Sequence, residues 1–343
     1  MYSMVMALKH AGHDVKILVI AREPYEDKQD HLVKLIDLSS AVAVQIEDVF
    51  DQFCPDLVIV RDALNEDVAP TVAKVSKHRR TKCISYEQNP CYARSFLGSI
   101  YVGIRHLLNQ LRRGLPIHEI SPKRGVGRYA IPFRKYFLFP MWCNDALKSR
   151  PYIPNGVVRI VAVGKLGVER KRLDWVINAL ESSGIDYCLS LVGANDLDRY
   201  PNRSACYYEM LYELSRPGIA QGRISILENV PFDQMPSIYQ NSDVFILAAK
   251  GEKFGIAPLE AMSYGCAVMC ANDNGSTPYL TSGLDALIFD TSSFRDFQKK
   301  LYGLLKNTDM IMSLGSMAIV TINETHSLMS FAKFISDLVE KEA

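Results

Sequence analysis

The sequence predicts an α/β chain of two doubly wound domains, each a parallel sheet covered by helices. Three observations carry this. Short apolar runs alternate with helical runs along the chain, the pattern of parallel strands linked by crossover helices. The alternation occurs as two sets, separated by Ile153-Pro-Asn-Gly156, where Pro and Asn-Gly punctuate. The length of 343 residues suits two domains at roughly 150 residues each. The expected boundaries are 1–153 for the first domain and 154–324 for the second. A closing helix over 325–343 is expected to pack back toward the first domain.

In order, residues 3–10 read as a helix with apolar residues at 4, 5 and 8, stopped at Gly12. Asp14 to Ile20 reads as a strand, 41–53 as a helix, 56–60 as a strand, 67–78 as a helix and 82–86 as a strand. The second set starts with the strand Val157–Val163 and a helix near 172–182. It continues with the strand 187–192, a helix near 204–215, and strands at 223–227, 244–247 and 267–270. A doubly wound domain ordinarily begins with a strand and a glycine turn ahead of its first helix. Here the helix comes first, so the first, central strand is expected to be missing from the chain as given, and the first domain to be loosened by its loss.

Composition excludes several classes. The chain is 48% hydrophobic and 22% charged, with a net charge of +1, so a disordered or fibrous chain is ruled out. No run of 18 apolar residues suggests a membrane span. Lys9, His10, His13, Asp14 and Lys16 interrupt any secretory signal. The eight cysteines form no C-x-x-C pair and no metal-ligand spacing, and read as reduced, mostly buried thiols of a cytoplasmic protein. Nothing reads as nucleic-acid binding. The near-neutral total hides an asymmetry, because residues 88–150 hold 11 basic residues against two acidic ones, Glu119 and Asp145. Such a run is a solvated face or a surface for an anionic partner.

The densest constellation is Gly251-Glu-Lys-Phe-Gly-Ile-Ala-Pro-Leu-Glu-Ala-Met-Ser-Tyr-Gly265, directly after a strand. Glu252 falls in the loop. A helix is expected to begin near Phe254–Gly255, with Pro258 tolerated in its first turn and Glu260 about one and a half turns in. The backbone N–H groups of Gly255 and Ile256 would then face the carboxyl ends of the strands, where open α/β sheets bind ligands and helix starts favour anions.

This block resembles the retaining glycosyltransferases of family 4, the group 1 transferases. Their hallmark is a Glu, seven residues and a second Glu, in the context E-G-F-G-x-x-x-x-E-A-M-x-x-G-x-P-V. Glu252 and Glu260 fit the spacing, with Phe254, Gly255, Ala261, Met262, Gly265 and Val268 in place and Ala267 where Pro is frequent. The resemblance implies the GT-B architecture, two Rossmann-like domains facing a cleft, with a nucleotide-sugar donor held by the second. It implies that Glu252 contacts the transferred sugar and that Glu260 binds the ribose hydroxyls. A carboxylate accepting from two vicinal hydroxyls suits ribose on its own chemistry.

A second match is Val163-Gly-Lys-Leu-Gly-Val-Glu-Arg-Lys-Arg-Leu-Asp-Trp-Val-Ile-Asn-Ala179, similar to the family's G-R-L followed by K-G-x-D-x-L-I-x-A. Gly164, Lys171, Asp174, Ile177 and Ala179 keep the frame. Lys165 stands for Arg, Arg172 for Gly, and Arg170 is a substitute cation. Two cations on a strand-to-helix turn can neutralise a diphosphate leaving group. Gly193 resembles the family's V-G-x-G turn, and Val230 the loop that touches the base. Asn274-Gly275-Ser-Thr-Pro278 resembles the G-G-x-P-E turn, with Tyr279 in place of the acid, and leaves Ser276 and Thr277 as hydroxyl donors to phosphate or sugar oxygens. In the first domain, Glu87 or Asn89 takes the acceptor-side place where family members often carry His.

The expected activity is therefore transfer of a hexosyl group, with retention, from a nucleotide-diphosphate sugar to a glycan or lipid-linked acceptor, as in polysaccharide or lipopolysaccharide biosynthesis. No metal and no cofactor is expected. Two other readings stand beside it. A nicotinamide dehydrogenase needs G-x-G-x-x-G after a strand, which Gly164-Lys-Leu-Gly167 does not supply. A non-catalytic nucleotide-sugar-binding protein of the same fold fits the substituted motif positions and the absent strand. Finally, Phe96, Leu97, Ile100, Tyr101, Ile104, Leu107, Leu108 and Leu111 recur at helical spacing, edged by Arg105, Arg112 and Arg113. That stripe is either a core-facing helix over the acceptor cleft or a peripheral contact through 93–135 with the inner face of a membrane.

Overall fold

The structure is a computed structural model. It describes residues 2–21, 33–37, 41–61, 68–87, 93, 95–122, 129–141, 156–195 and 201–340. The chain divides into two units, Met1–Pro140 with Leu328–Ala343, and Met141–Ser327. The expected boundary at 153 lies outside the described residues.

The first unit runs α1 (Tyr2–His10), β1 (Ile17–Ala21), β2 (Val33–Asp37), α2 (Val42–Phe53), β3 (Leu57–Arg61), α3 (Val68–His78), β4 (Lys82–Tyr86), α4 (Phe96–Arg113), β5 (Glu119–Pro122) and β6 (Arg134–Phe137). All of its strand pairs are parallel, but they form two separate sheets, β1-β2 and β3-β4-β5-β6. Leu18 of β1 and Val58 and Val60 of β3 pack on one apolar cluster with Ile46, Phe50, Val72 and Val75 from α2 and α3. Among the described residues no ladder joins β1 to β3.

The second unit runs β7 (Val158–Val163), α5 (Leu173–Glu181), β8 (Tyr187–Gly193), α6 (Pro201–Ala220), β9 (Ile224–Glu228), α7 (Met235–Gln240), β10 (Val244–Leu247), α8 (Ala257–Ser263), β11 (Ala267–Ala271), β12 (Ala286–Phe289), α9 (Phe294–Leu305) and α10 (Thr308–Thr325). Its sheet has six parallel strands in the order β12-β11-β10-β7-β8-β9. The chain starts at β7, winds outward through β8 and β9, then returns to the other side of β7 with β10. The winding therefore reverses between β7 and β10, where a doubly wound sheet leaves a crevice at its carboxyl ends.

The central strands β10 and β11 are buried on both faces, which is why they read as unbroken apolar runs. Val244, Phe245, Ile246, Val268 and Met269 have no exposed surface, and Leu259 and Met262 of α8 are equally buried. Each such aliphatic side chain contributes about 1.5–3 kcal/mol by leaving water. At the base of the sheet Asp243 ties β7 to β10, accepting from the Arg159 backbone N–H at 2.9 Å and from its guanidinium at 3.0 and 2.6 Å. The last helix, α11 (Leu328–Glu340), belongs to the first unit, where it packs with α1 and sets Phe331 edge-on to Phe137 at 5.0 Å.

Two sequence expectations are corrected here. Of the six described cysteines, Cys54, Cys188 and Cys206 are exposed and only Cys266 and Cys270 are buried, so the thiols are not mostly core residues. The helix of the Glu252–Gly265 block starts at Ala257, later than residues 254–255. Gly255 holds φ at +64°, outside the helical region, and Ile256 supplies the first accepting carbonyl, to Leu259 at 2.9 Å. Glu260 therefore lies in the first turn. Among the described residues no helix is long and apolar enough to cross a membrane.

Candidate functional site

Three loops meet at the winding reversal of the second unit. The first follows β7. Gly164 donates its N–H to Val192 at 2.9 Å, and Leu166 donates to Ala194 at 3.1 Å, so this loop is laced to the end of β8. The approach is close, since a Cβ on Gly193 would lie 1.7 Å from the Gly164 carbonyl oxygen. Residues Glu169–Lys171 then form one short 3-10 turn ahead of α5.

The second loop follows β10. Lys250 donates its backbone N–H to the Arg170 carbonyl at 2.8 Å, which pins this loop to the first. The third follows β11, and its Gly275 N–H donates to the Glu252 carbonyl at 2.9 Å. Asp273 accepts from the Gly251 N–H at the same distance. Asn274, fully buried, lies under Gly255, where an added Cβ would come within 2.4 Å of its side-chain oxygen.

This lacing brings two of the motif residues into contact across 81 positions of sequence. Lys171 Nζ donates to Glu252 Oε2 at 2.6 Å, and the Arg170 guanidinium donates to the same oxygen at 3.0 Å. Lys171 and Glu252 are largely buried, with side chains 14% and 16% exposed, whereas Arg170 is half exposed. Burial pushes the Glu252 carboxyl up, but the Lys171 ammonium and the Arg170 guanidinium outweigh it and hold it below the usual carboxylate range. The opposite balance holds at Glu260. Its Oε2 accepts from the Tyr239 hydroxyl at 3.0 Å, yet burial dominates and keeps its carboxyl above the usual range.

The remaining expected residues are placed as follows. Lys165 lies exposed on the first loop, one residue past Gly164. Phe254 is buried, with its ring edge-on to Tyr279 at 6.2 Å. Val230 follows β9, next to Asn229, whose N–H donates to the Gly193 carbonyl at 2.9 Å. Ser276 and Thr277 are both buried. The Thr277 hydroxyl donates to the Ala271 carbonyl at 2.6 Å, and the Ser276 oxygen accepts from Asn274 at 2.9 Å. Thr277 thus holds its own loop, which removes it as a hydroxyl donor to a ligand in this arrangement. Glu87, in the first unit, directly follows β4, with its N–H donating to the Ile120 carbonyl at 3.0 Å; Asn89 lies outside the described residues.

Two residues were not singled out for the roles the structure gives them. Tyr239, on α7, carries the hydrogen bond to Glu260 and stacks on Tyr264 at 5.8 Å. Arg172 holds φ at +51°, stacks its guanidinium 4.1 Å over Trp175, and donates to the Thr291 carbonyl. A cleft of about 420 Å³ beside it is lined by Glu169, Arg170, Arg172, Asp174, Trp175 and Lys250. Among the described residues no group of three or more His, Cys, Asp or Glu side chains could hold a metal ion.

Residues 157–307, which contain all three loops, match the family of group 1 glycosyl transferases. That stretch, which makes up most of the second unit, is thus similar to the group 1 glycosyl transferases. A curated relative of this domain is the D-inositol 3-phosphate glycosyltransferase of Corynebacterium urealyticum, 28% identical over 116 residues, which are 34% of this chain and 26% of the relative. The match thus spans about a quarter of that relative's length. Solved structures match over nearly the whole chain. A glycosyltransferase from Rickettsia africae superposes with a TM-score of 0.70 at 16% identity, covering 99% of this chain and 94% of its own. An Anabaena protein solved with UDP-glucose gives 0.63 at 13% identity, covering 91% and 86%. The fold of the chain is therefore the GT-B fold, two parallel-sheet α/β units.

Proposed function

We propose that the chain is a retaining, metal-independent glycosyltransferase that moves a sugar from a nucleotide-diphosphate sugar to a glycan or lipid-linked acceptor. The observation that carries this is the Glu252–Lys171–Arg170 cluster, set where the winding of the second unit reverses. One carboxylate faces two cations there, so the cluster keeps a positive excess that favours a diphosphate. The Anabaena neighbour, whose structure holds UDP-glucose, supports a nucleotide-sugar donor.

In this reading Lys171 and Arg170 exchange Glu252 for the donor diphosphate. The bond from the anomeric carbon to the diphosphate oxygen breaks, and the cations stabilise the charge that grows on the leaving group. The acceptor hydroxyl attacks from the same face and gives its proton to the departing diphosphate. Glu252, released from its cations, contacts the sugar, while Glu260 accepts from the ribose hydroxyls. Lys165 supplies a further charge near the phosphates. Gly164, Gly193, Gly255, Ile256 and Val230 line the donor through backbone groups.

The deciding experiment incubates the full chain with a panel of nucleotide sugars, with and without EDTA, and scores released nucleoside diphosphate. Release that persists in EDTA, with the product anomer matching the donor by NMR, is the expected result. Binding of a nucleotide sugar without turnover for any acceptor class would instead make the chain a non-catalytic binding protein.

A further inference from the structure

Helix α4 is built inside out. Its 18 residues span about 27 Å at 1.5 Å per residue. Both ends are fixed, by the Ser95 hydroxyl accepting from the Gly98 N–H at 3.0 Å and by Gly114 in a left-handed cap. The face turned into the unit is small and polar. Gly103 lies on Pro132, where a Cβ would come within 2.8 Å of the ring, and Ser99 and Gln110 are each 4% exposed. Gln110 donates to the Ser85 hydroxyl at 3.3 Å, and a His106 ring nitrogen lies 3.2 Å from the Ile117 carbonyl.

The apolar stripe faces solvent instead. Phe96, Leu97, Tyr101, Ile104, Leu108 and Leu111 are between 53% and 77% exposed. An apolar face of this size on one exposed helix marks an interaction surface. Its charge says what kind. The helix has no acidic residue and ends on Arg112 and Arg113, with Arg105 and Arg112 exposed along the stripe. Glu119, an acidic residue of the surrounding stretch, is buried against Arg134 at 2.6 Å and presents no negative charge outward.

We propose that α4 lies in the plane of an anionic lipid surface, with its outward stripe seated at the headgroup boundary and Arg105 and Arg112 against lipid phosphates. Apolar burial and cation attraction then act together, the combination that interfacial helices need. The inference rests on the first unit alone and is independent of the transferase reading.

Vesicle flotation of the full chain tests it, with phosphatidylcholine vesicles and with vesicles containing phosphatidylglycerol, each at low and high salt. The expected result is flotation with the anionic vesicles at low salt, falling at least tenfold in high salt and in the Leu97→Glu, Leu108→Glu double variant. Both side chains are exposed, so the variant should keep its melting temperature and its nucleotide affinity. No flotation at low salt, or flotation indifferent to the double variant, overturns the proposal. A dimer in sedimentation equilibrium that the double variant dissociates also overturns it, because the stripe then belongs to a second copy.

Discussion

The Tyr239 hydroxyl donates to Glu260 across 3.0 Å, joining two helices that flank β10 and giving a half-buried carboxylate its fixed direction. Tyr239→Phe should therefore destabilise the domain by about 1 kcal/mol, the typical net worth of such a bond. Burial keeps the Glu260 carboxyl above the ordinary 4.5, so the folded state holds a proton that the unfolded chain releases. Stability from this residue then falls as pH rises through 4.5 and above. Glu260→Gln should flatten that decline in melting temperature between pH 4 and 7.

Under the proposed function, Glu260→Ala should weaken nucleotide-sugar binding by about 1–3 kcal/mol, the range for stranding a buried hydrogen-bonding partner. Calorimetry with the intact donor checks this, and unchanged affinity would remove the ribose assignment.

Lys171→Met should act in two ways. Turnover should fall about 10²-fold or more, as for loss of one preorganised electrostatic donor. The acid limb of stability should also shrink. With the Glu252 carboxyl held below 4.5, its contribution is present above that pH and lost as pH falls through the folded value. The variant should show a smaller drop in melting temperature between pH 6 and pH 3.5. Full turnover in Lys171→Met would assign the charge to Arg170 or Lys165.

Arg172 stands where the family pattern has Gly, and the structure gives the reason for that pattern, because the position has φ of +51°. A left-handed backbone costs a side-chain-bearing residue about 1–2 kcal/mol. Arg172 offsets this through Trp175 and Thr291. Arg172→Ala keeps the strain and loses both contacts, whereas Arg172→Gly loses the contacts and the strain. Urea unfolding should find the Gly variant more stable than the Ala variant by about 1 kcal/mol.

Gly193→Ala should be the most damaging small substitution of the site. The obstacle is the Gly164 backbone oxygen, 1.7 Å from the new Cβ, and its loop is held to β8 by the Gly164 N–H bond to Val192, so it cannot swing away. A loss of more than about 4 kcal/mol, or failure to fold, is expected. Circular dichroism of the purified variant reads it directly.

The central elements of the second unit were legible because strands buried on both faces carry no polar alternation, so Val244–Leu247 and Ala267–Ala271 stand out as apolar runs. Glu252 and Lys171 were singled out by their separate motifs, and the structure brings the two side chains together at 2.6 Å. The start of α8 was misread because Gly255 looks like a helix opener until its φ is known. Tyr239 was missed because its partner lies 21 residues away, and nothing local marks a tyrosine as a carboxylate's donor. The stripe on α4 gave its members but not its direction, since period shows which residues share a face and not which way that face turns. A signal was present in Gly103, whose missing side chain lets the helix sit close to Pro132, and in Ser99, a small polar residue on the same buried face.

The two sheets of the first unit leave, among the described residues, four strand edges where a single sheet of the same six strands would have two. Cooperativity in this unit then has to pass through side chains, through the cluster of α2 and α3 that Leu18 and Val58 share, and not through a continuous ladder. Apolar contacts loosen gradually, whereas a ladder opens as a block. Amide exchange should accordingly be graded, fastest in β1, intermediate in β3, and slowest in β10 and β11 of the second unit, whose amides are closed in by neighbours on either side.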